Sequence, residues 1–258
     1  MAGRTILISG GASGIGRKIA ETYLAANNSV HVCDVSSDMI DDFIAANPTA
    51  TATQADVSNV ADVGQVYEDF LTRYENLDIL VNNAGVAGPI DHVEDIEPPD
   101  WEHCLAINLN GTFYMTRRAV PLIKAAGGGS IVNIASTAGL FGVPLRSPYA
   151  ASKWGMIGLT KTWAMELGPN NIRVNAVCPG CVSGPRIEAV IEKDARERKV
   201  PVQQVRDVYL RQSSMRTFVS ADDIADMVFF LTSDAGAKIS GQAIAVDGHT
   251  ETLSNWLD

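Results

Sequence analysis

Thr5-Ile6-Leu7-Ile8-Ser9-Gly10-Gly11-Ala12-Ser13-Gly14-Ile15-Gly16 carries a short apolar run straight into a loop holding four glycines. Beyond it, Ile19, Tyr23 and Leu24 recur at helical spacing. The segment therefore reads as strand, tight loop and helix. Glycine suits such a loop because the backbone turns sharply and because a ligand can then approach the N–H groups and partial positive charge at the helix start. The spacing G-x-x-x-G-x-G differs from the commoner G-x-G-x-x-G of dinucleotide-binding loops. On its own, the segment also fits a plain strand-to-helix turn.

Six further β-branched runs follow, at residues 29–33, 49–54, 77–81, 130–135, 173–178 and 242–246. Helix-length segments separate them, and Val63, Val66, Phe70 and Leu71 mark the apolar face of one. Near-continuous apolar strands alternating with helices specify a parallel sheet covered on both faces. The fold class expected is α/β, a Rossmann-like doubly wound parallel sheet of about seven strands, in one domain spanning residues 1–258. Gly127-Gly128-Gly129 reads as a helix stop before a strand rather than a linker. One stretch, 183–220, breaks the alternation with helical fragments rich in Arg, Glu and Lys. Inserted late between a strand and a helix, it belongs at the carboxyl edge of the sheet, where ligands bind, and reads as a substrate lid.

The second run, Val30-His31-Val32-Cys33, is followed at once by Asp34, about 20 residues beyond the glycines. A carboxylate there accepts hydrogen bonds from both ribose hydroxyls and repels a 2′-phosphate. Residues 10–16 contain no Lys or Arg to offset that repulsion, although Arg17 lies just beyond. This pattern favours NAD over NADP, with a solvated turn residue as the plainer reading of Asp34. Further along, Ser147-Pro148-Tyr149-Ala150-Ala151-Ser152-Lys153 opens a helical segment. Residues four apart share a helix face, so Tyr149 and Lys153 point the same way. A phenol ordinarily ionises near pH ~10, and a neighbouring ammonium favours the phenolate. Beside a dinucleotide site the two make a candidate proton-transfer pair; elsewhere the same spacing is a common surface pair.

At this point the sequence resembles the short-chain dehydrogenase/reductase family, in its simple single-domain branch, over essentially the whole chain. The features that carry the resemblance are the loop 10–16, Asp56-Val57, Asn82-Asn83-Ala84-Gly85, Asn108, Ser136, Tyr149 with Lys153, and Pro179-Gly180. It implies that Tyr149 is the general acid/base, that Ser136 hydrogen-bonds the reacting oxygen, and that Lys153 tunes Tyr149 and holds the nicotinamide ribose. Asn108 would support a water relay to Lys153, completing a catalytic set of Ser136, Tyr149, Lys153 and Asn108. Implied cofactor contacts are Gly10, Ser13, Gly14, Ile15 and Gly16 in the loop, Asp34 at the ribose, and Asp56 with Val57 at the adenine. Asn82 would meet the adjoining ribose. Ala84, Gly85, Tyr149, Lys153, Pro179, Gly180 and Val182 would complete the NAD site. Bland alternatives are a strand-ending turn for residues 82–85, a helix-interior polar residue for Asn108 and a cap for Ser136. Two positions depart from the family pattern: Gly184 stands where Thr is frequent, and His249 where a second glycine is usual. His249 reads as structural or subunit-facing. The resemblance also implies a homotetramer built on the helices around residues 110–126 and 149–167. The terminal Trp256-Leu257 would then pack on a neighbouring subunit or cover its pocket.

Composition narrows the function classes. Hydrophobic residues make up 46% and charged residues 19%, which suits a folded domain rather than a disordered chain. A formal charge of −10 argues against a nucleic-acid partner, whose phosphates call for clustered Lys and Arg. With no run approaching a membrane span and no leader, the chain reads as cytoplasmic. Cys178-Pro179-Gly180-Cys181 matches a bare C-x-x-C but follows a strand instead of opening a helix, so ordinary thiols are expected, with no metal site. Arginines are concentrated near the expected pocket: Arg146, Arg186, Arg206, Arg211 and Arg216. Guanidinium groups bind carboxylates and phosphates through paired hydrogen bonds. Arg146, Arg186 and Arg211, beside Ser136 and Tyr149, therefore suggest a small polar, anionic substrate, within the class of sugar acids, hydroxy acids and polyols. Pairing with Glu188, Glu192 and Asp207 on a solvated face is the competing reading. A β-ketoacyl thioester reductase and a non-catalytic NAD-binding sensor or scaffold are the rival functions.

Overall fold

In a computed structural model describing residues 3–254, the seven runs become β1 Thr5–Ser9, β2 Ser29–Asp34, β3 Thr51–Gln54, β4 Ile79–Asn82, β5 Gly129–Ile134, β6 Ile172–Pro179 and β7 Ala243–Val246. They form one parallel sheet in the order β3-β2-β1-β4-β5-β6-β7. Order reverses between β1 and β4, which opens a crevice at their carboxyl ends. The expected start of β4 at Leu77 falls two residues early, because Asp78 turns its carboxylate back to Thr5 N (2.8 Å) before the ladder begins.

Strand alternation sorts the core into two layers. Ile6 and Ile8 of β1 face helices α1 (Gly14–Ala25) and α9 (Ala221–Thr232), packing with Ile19, Tyr23, Ile224 and Val228. Leu7 faces the other way, toward α3 (Val60–Leu71), α5 (Gly111–Ala125) and α6 (Ser147–Leu167) through Phe70, Met115 and Trp163. Helix α2 (Ser37–Ala46) buries Phe43 on the first side. Helix α4 (Pro98–Leu105) runs through a π turn, Ala106–Asn110, into α5. Gly127 and Gly128, with φ of 86° and 128°, provide the left-handed turn that stops α5 before β5.

The stretch expected as a lid contains α7 (Pro185–Arg198) and α8 (Val202–Arg211). These helices share a small core of their own, Ile191, Ala195 and Val205 with Tyr209 and Phe218 against it. At the sheet edge Ser183 N bonds Val219 O at 2.8 Å and Val219 N bonds Cys181 O at 3.0 Å, and the segment after α8 is joined to the chain after β7 by Ser214 N to His249 O and Met215 N to Gly248 O at 2.9 and 3.1 Å. Trp256 and Leu257 lie outside the described residues. No helix among those described is long and apolar enough to cross a membrane.

One buried histidine gives the fold a pH dependence. His31 lies on β2 with Nδ1 2.7 Å from Thr51 Oγ1, Nε2 3.1 Å from Thr53 Oγ1, and its ring edge-on to Phe70. Burial pushes its pKa down to about 4, against a weaker upward pull from Asp69. The unfolded chain therefore binds a proton near pH 6.5 that the folded chain refuses. Stability from this group is complete above pH 6.5 and is lost as pH falls toward 4, by roughly 3 kcal/mol. Melting temperature should fall over that window, and His31→Asn should melt lower at pH 7 but with a flatter acid slope.

Candidate active site

The glycine loop at the crevice is shaped by what its residues cannot accommodate. A Cβ at Gly16 would lie 2.1 Å from Gly10 O and 2.5 Å from Asn83 Nδ2, and one at Gly10, whose φ is +61°, would lie 2.9 Å from Ala84 Cα. The loop is thus pressed against the end of β4. Asn83 Nδ2 donates to Gly10 O at 2.8 Å, while Ser9 Oγ accepts from Asn83 N and Ala84 N at 3.1 and 3.2 Å. On the outer side the loop is open: a Cβ at Gly14 would meet nothing within 4 Å. Ser13, at the helix start, makes no side-chain cap and Ile15 is half-buried. Asp34 reaches back over the loop, its Oδ2 accepting from Ala12 N at 3.2 Å. An open glycine edge, an uncapped serine at a helix N-terminus and a carboxylate at the rim together fit a pyrophosphate and its ribose.

The flanking segments are arranged for close approach. Asp56 accepts from Ser58 N and Oγ at 2.8 and 2.7 Å, fixing the turn after β3, and Val57 is buried where Gly111 admits it. Pro179 ends β6, Gly180 N bonds Val246 O at 3.0 Å, and half-buried Val182 bridges to Val219. The side chain of Asn82 points into the α5 layer, where Nδ2 donates to Thr116 Oγ1 and Asn133 Oδ1 at 3.0 and 2.8 Å. Its backbone stays at the carboxyl end of β4, and its neighbour Asn83 braces the loop.

Tyr149 and Lys153 occupy the first turns of α6, with Lys153 Nζ 5.6 Å from the Tyr149 ring centre and donating to Ile134 O at 2.9 Å. Ser136, just after β5, lies beside Tyr149 and accepts from Ala138 N at 3.1 Å. Burial resists ionisation of the phenol, but Lys153, Arg186, Ser136 and Arg146 outweigh it and hold Tyr149 below its ordinary value. Burial also lowers Lys153, with Tyr149 opposing and Arg186 assisting. Gly85 lets the parts converge, since a Cβ there would stand 3.1 Å from Asn108 Oδ1 and 3.7 Å from Lys153 Nζ. Asn108 itself is wholly buried in the π turn. The sequence reading overlooked Ser152, whose Oγ accepts from Asn108 Nδ2 at 3.1 Å.

The arginines divide. Arg146 and Arg186 both act electrostatically on Tyr149. Arg146 Nη1 donates to Ala87 O at 3.1 Å, and burial lowers its pKa. Among the described residues no carboxylate pairs with it. Arg206 follows the competing reading and is paired with Glu188. Arg211 lies on the exposed side of α8, which turns Val205, Val208 and Gln212 inward, and it is not among the cations acting on Tyr149. His249, at φ +65°, has Nδ1 3.0 Å from Ser214 Oγ and fastens the chain after β7 to the segment after α8. Cys178 and Cys181 are free thiols, each pushed by burial up to about 11.

Known proteins resemble this chain in sequence and in fold. Residues 10–249 match the family model described as enoyl-(acyl carrier protein) reductase. A D-beta-hydroxybutyrate dehydrogenase of Rhizobium meliloti is 33% identical over 252 residues, covering 95% of this chain and 97% of that protein. Among solved structures, an NAD+-bound xylitol dehydrogenase superposes with a TM-score of 0.90 at 27% identity, over 95% of this chain and 98% of that one. A variant of actinorhodin polyketide ketoreductase with NADPH gives 0.92 at 31% identity, over 99% of this chain and 100% of the other. The chain belongs to the short-chain dehydrogenase/reductase family and is an oxidoreductase acting on CH–OH groups.

Proposed function

We propose that the protein is an NAD-dependent dehydrogenase that oxidises a secondary alcohol on a small acidic substrate. The carrying observation is Arg146, a largely buried guanidinium close to Tyr149 with no carboxylate partner among the described residues. A cation in that position suits a substrate that brings its own negative charge. NAD is supported by Asp34 at the loop and by Arg17, which is already engaged by Glu21 and Asp42 and so is not free for a 2′-phosphate. When bound, the nicotinamide accepts or returns the hydride. Tyr149, with its pKa lowered, takes the hydroxyl proton during oxidation; Lys153 supports the phenolate, and Ser136 hydrogen-bonds the reacting oxygen. The negative charge of the chain supports a small-molecule partner over nucleic acid.

A second reading, reduction of β-ketoacyl thioesters, is favoured by the likeness to the NADPH-bound polyketide ketoreductase. Asp34 and the engaged Arg17 weigh against the NADPH it would use. For assembly we infer a cytoplasmic homotetramer in which α5 and α6 pack across subunits, supported by the exposure of Phe113, Trp154 and Met165 on those helices (44%, 52% and 82%). The test is NADH formation by the purified protein over a panel of neutral and acidic polyols and hydroxy acids, with NADP in parallel. Turnover should be confined to acidic members and weak with NADP. Comparable rates for neutral members remove the anionic substrate, preference for NADP removes the cofactor assignment, and a monomeric mass for the active sample removes the tetramer.

A further inference from the structure

The side chain of Asn108 joins three elements, and its amide has one workable orientation. Oδ1 accepts from Val86 N at 2.8 Å, while Nδ2 donates to Val86 O at 3.0 Å, Ser152 Oγ at 3.1 Å and Cys104 Sγ at 3.4 Å. Two N–H groups thus serve three acceptors. Ser152 sets the sense of its own contact: its one hydroxyl hydrogen goes to Tyr149 O at 2.7 Å, so toward Asn108 it can only accept. Turning the amide over would set donor against donor at Val86 N and acceptor against acceptor at Val86 O. Both Asn108 and Ser152 are 0% exposed, so solvent does not replace a lost partner.

We infer that Ser152 is a positioning residue for proton transfer, latching the π turn that carries Asn108 to the turn of α6 that carries Tyr149 and Lys153. This rests on the proton-transfer roles proposed for Tyr149 and Lys153. Through Val86, Asn108 also holds Gly85, which lies against Lys153 Nζ. Without the Ser152 acceptor, the π turn loses its polar tie to α6 and keeps only packing such as that of Leu109 on Gly155, so the placement of Lys153 beside Tyr149 loosens. Tyr149 is faced by Lys153 from its own helix, by Arg146 just before it, by Arg186 from α7 and by Ser136 from the end of β5. Lys153 is faced in addition by the thiols of Cys104 from α4 and Cys178 from β6. Since every charged neighbour of Tyr149 is a cation, weakening the nearest one moves the phenol back toward its ordinary value.

The test compares Ser152→Ala with Cys104→Ala, measuring melting temperature, kcat, KM and the pH profile of kcat for alcohol oxidation. Each removes one acceptor of Asn108 from a buried site, so both lower the melting temperature. Cys104 lies on the helix that runs into Asn108's own turn and also meets Ser152, so its loss removes a contact at each while leaving the hydrogen bond from Asn108 to Ser152 in place. Ser152→Ala should lower kcat by on the order of tenfold or more, as misplaced catalytic groups do, with KM near the wild-type value and the acid limb of the profile moved to higher pH. Cys104→Ala should leave that limb in place. Ser152→Cys, which keeps the volume with a weaker acceptor, should move it less in the same direction. An unmoved limb in both Ser152 variants, or an equal shift in Cys104→Ala, overturns the latch. Tyr149→Phe belongs in the same assay: if it remains active, the proton-transfer reading fails, whatever the Ser152 variants do.

Discussion

Tyr149→Phe should lower kcat by roughly a thousandfold, within the usual contribution of a positioned acid–base group, while cofactor binding and melting temperature stay close to those of the wild type. The change removes one hydroxyl, beside Ser136. The ring remains to fill its place in α6. Loss of activity would then isolate proton transfer from folding. The pH profile supplies the sign. Oxidation needs the phenolate, so the rate should rise with pH through an inflection below the ordinary phenol value, because Lys153, Arg186 and Arg146 outweigh burial in setting the Tyr149 pKa. Reduction needs the protonated form and should fall through the same inflection. Retained activity in Tyr149→Phe, or an oxidation rate that declines with pH over that range, would overturn the assignment.

The parts of this site that could be read from the sequence are those where backbone geometry demands one residue type. Gly16 and Gly10 admit no Cβ because other backbone lies within 3 Å, and such a demand is written in the residue itself. Tyr149 and Lys153 were legible because both lie on one helix, where spacing fixes direction. Asn82 and Arg211 show what spacing alone leaves open. Asn82 shares the face of Leu80 on β4, which packs into the α5 layer, so strand alternation applied to Ile79–Asn82 directs its side chain inward. For Arg211 the apolar side of α8 decides, and that side is set by Val205, which packs with Ile191 and Ala195 of α7, and by buried Val208. Ser152 went unread for another reason. Its acceptor role exists only because a π turn 44 residues earlier delivers Asn108 to it, and no local pattern encodes that meeting.

Arg146→Met should reduce kcat/KM for the acidic substrate by on the order of a hundredfold, the worth of one charge-assisted, paired hydrogen bond in a water-poor site, and should leave neutral alcohols nearly unaffected. The ratio between acidic and neutral substrates carries the argument, since a general loss of activity would mean only that the pocket had been disturbed. Stability gives an independent reading. Arg146 is buried enough to lower its pKa, its hydrogen bond goes to a backbone carbonyl at 3.1 Å, and besides the phenols of Tyr209 and Tyr149 the charged group acting on it is another cation, Arg186. A buried charge without a counter-ion is costly, and an apolar side chain of similar length relieves that cost. Arg146→Met should therefore melt no lower than the wild type, marking a residue that the fold tolerates and the substrate requires. Arg211→Ala, at an exposed position, should change neither measurement. A marked drop in melting temperature for Arg146→Met with an unchanged acid-to-neutral ratio would make Arg146 a structural residue and remove the anionic substrate from the proposal.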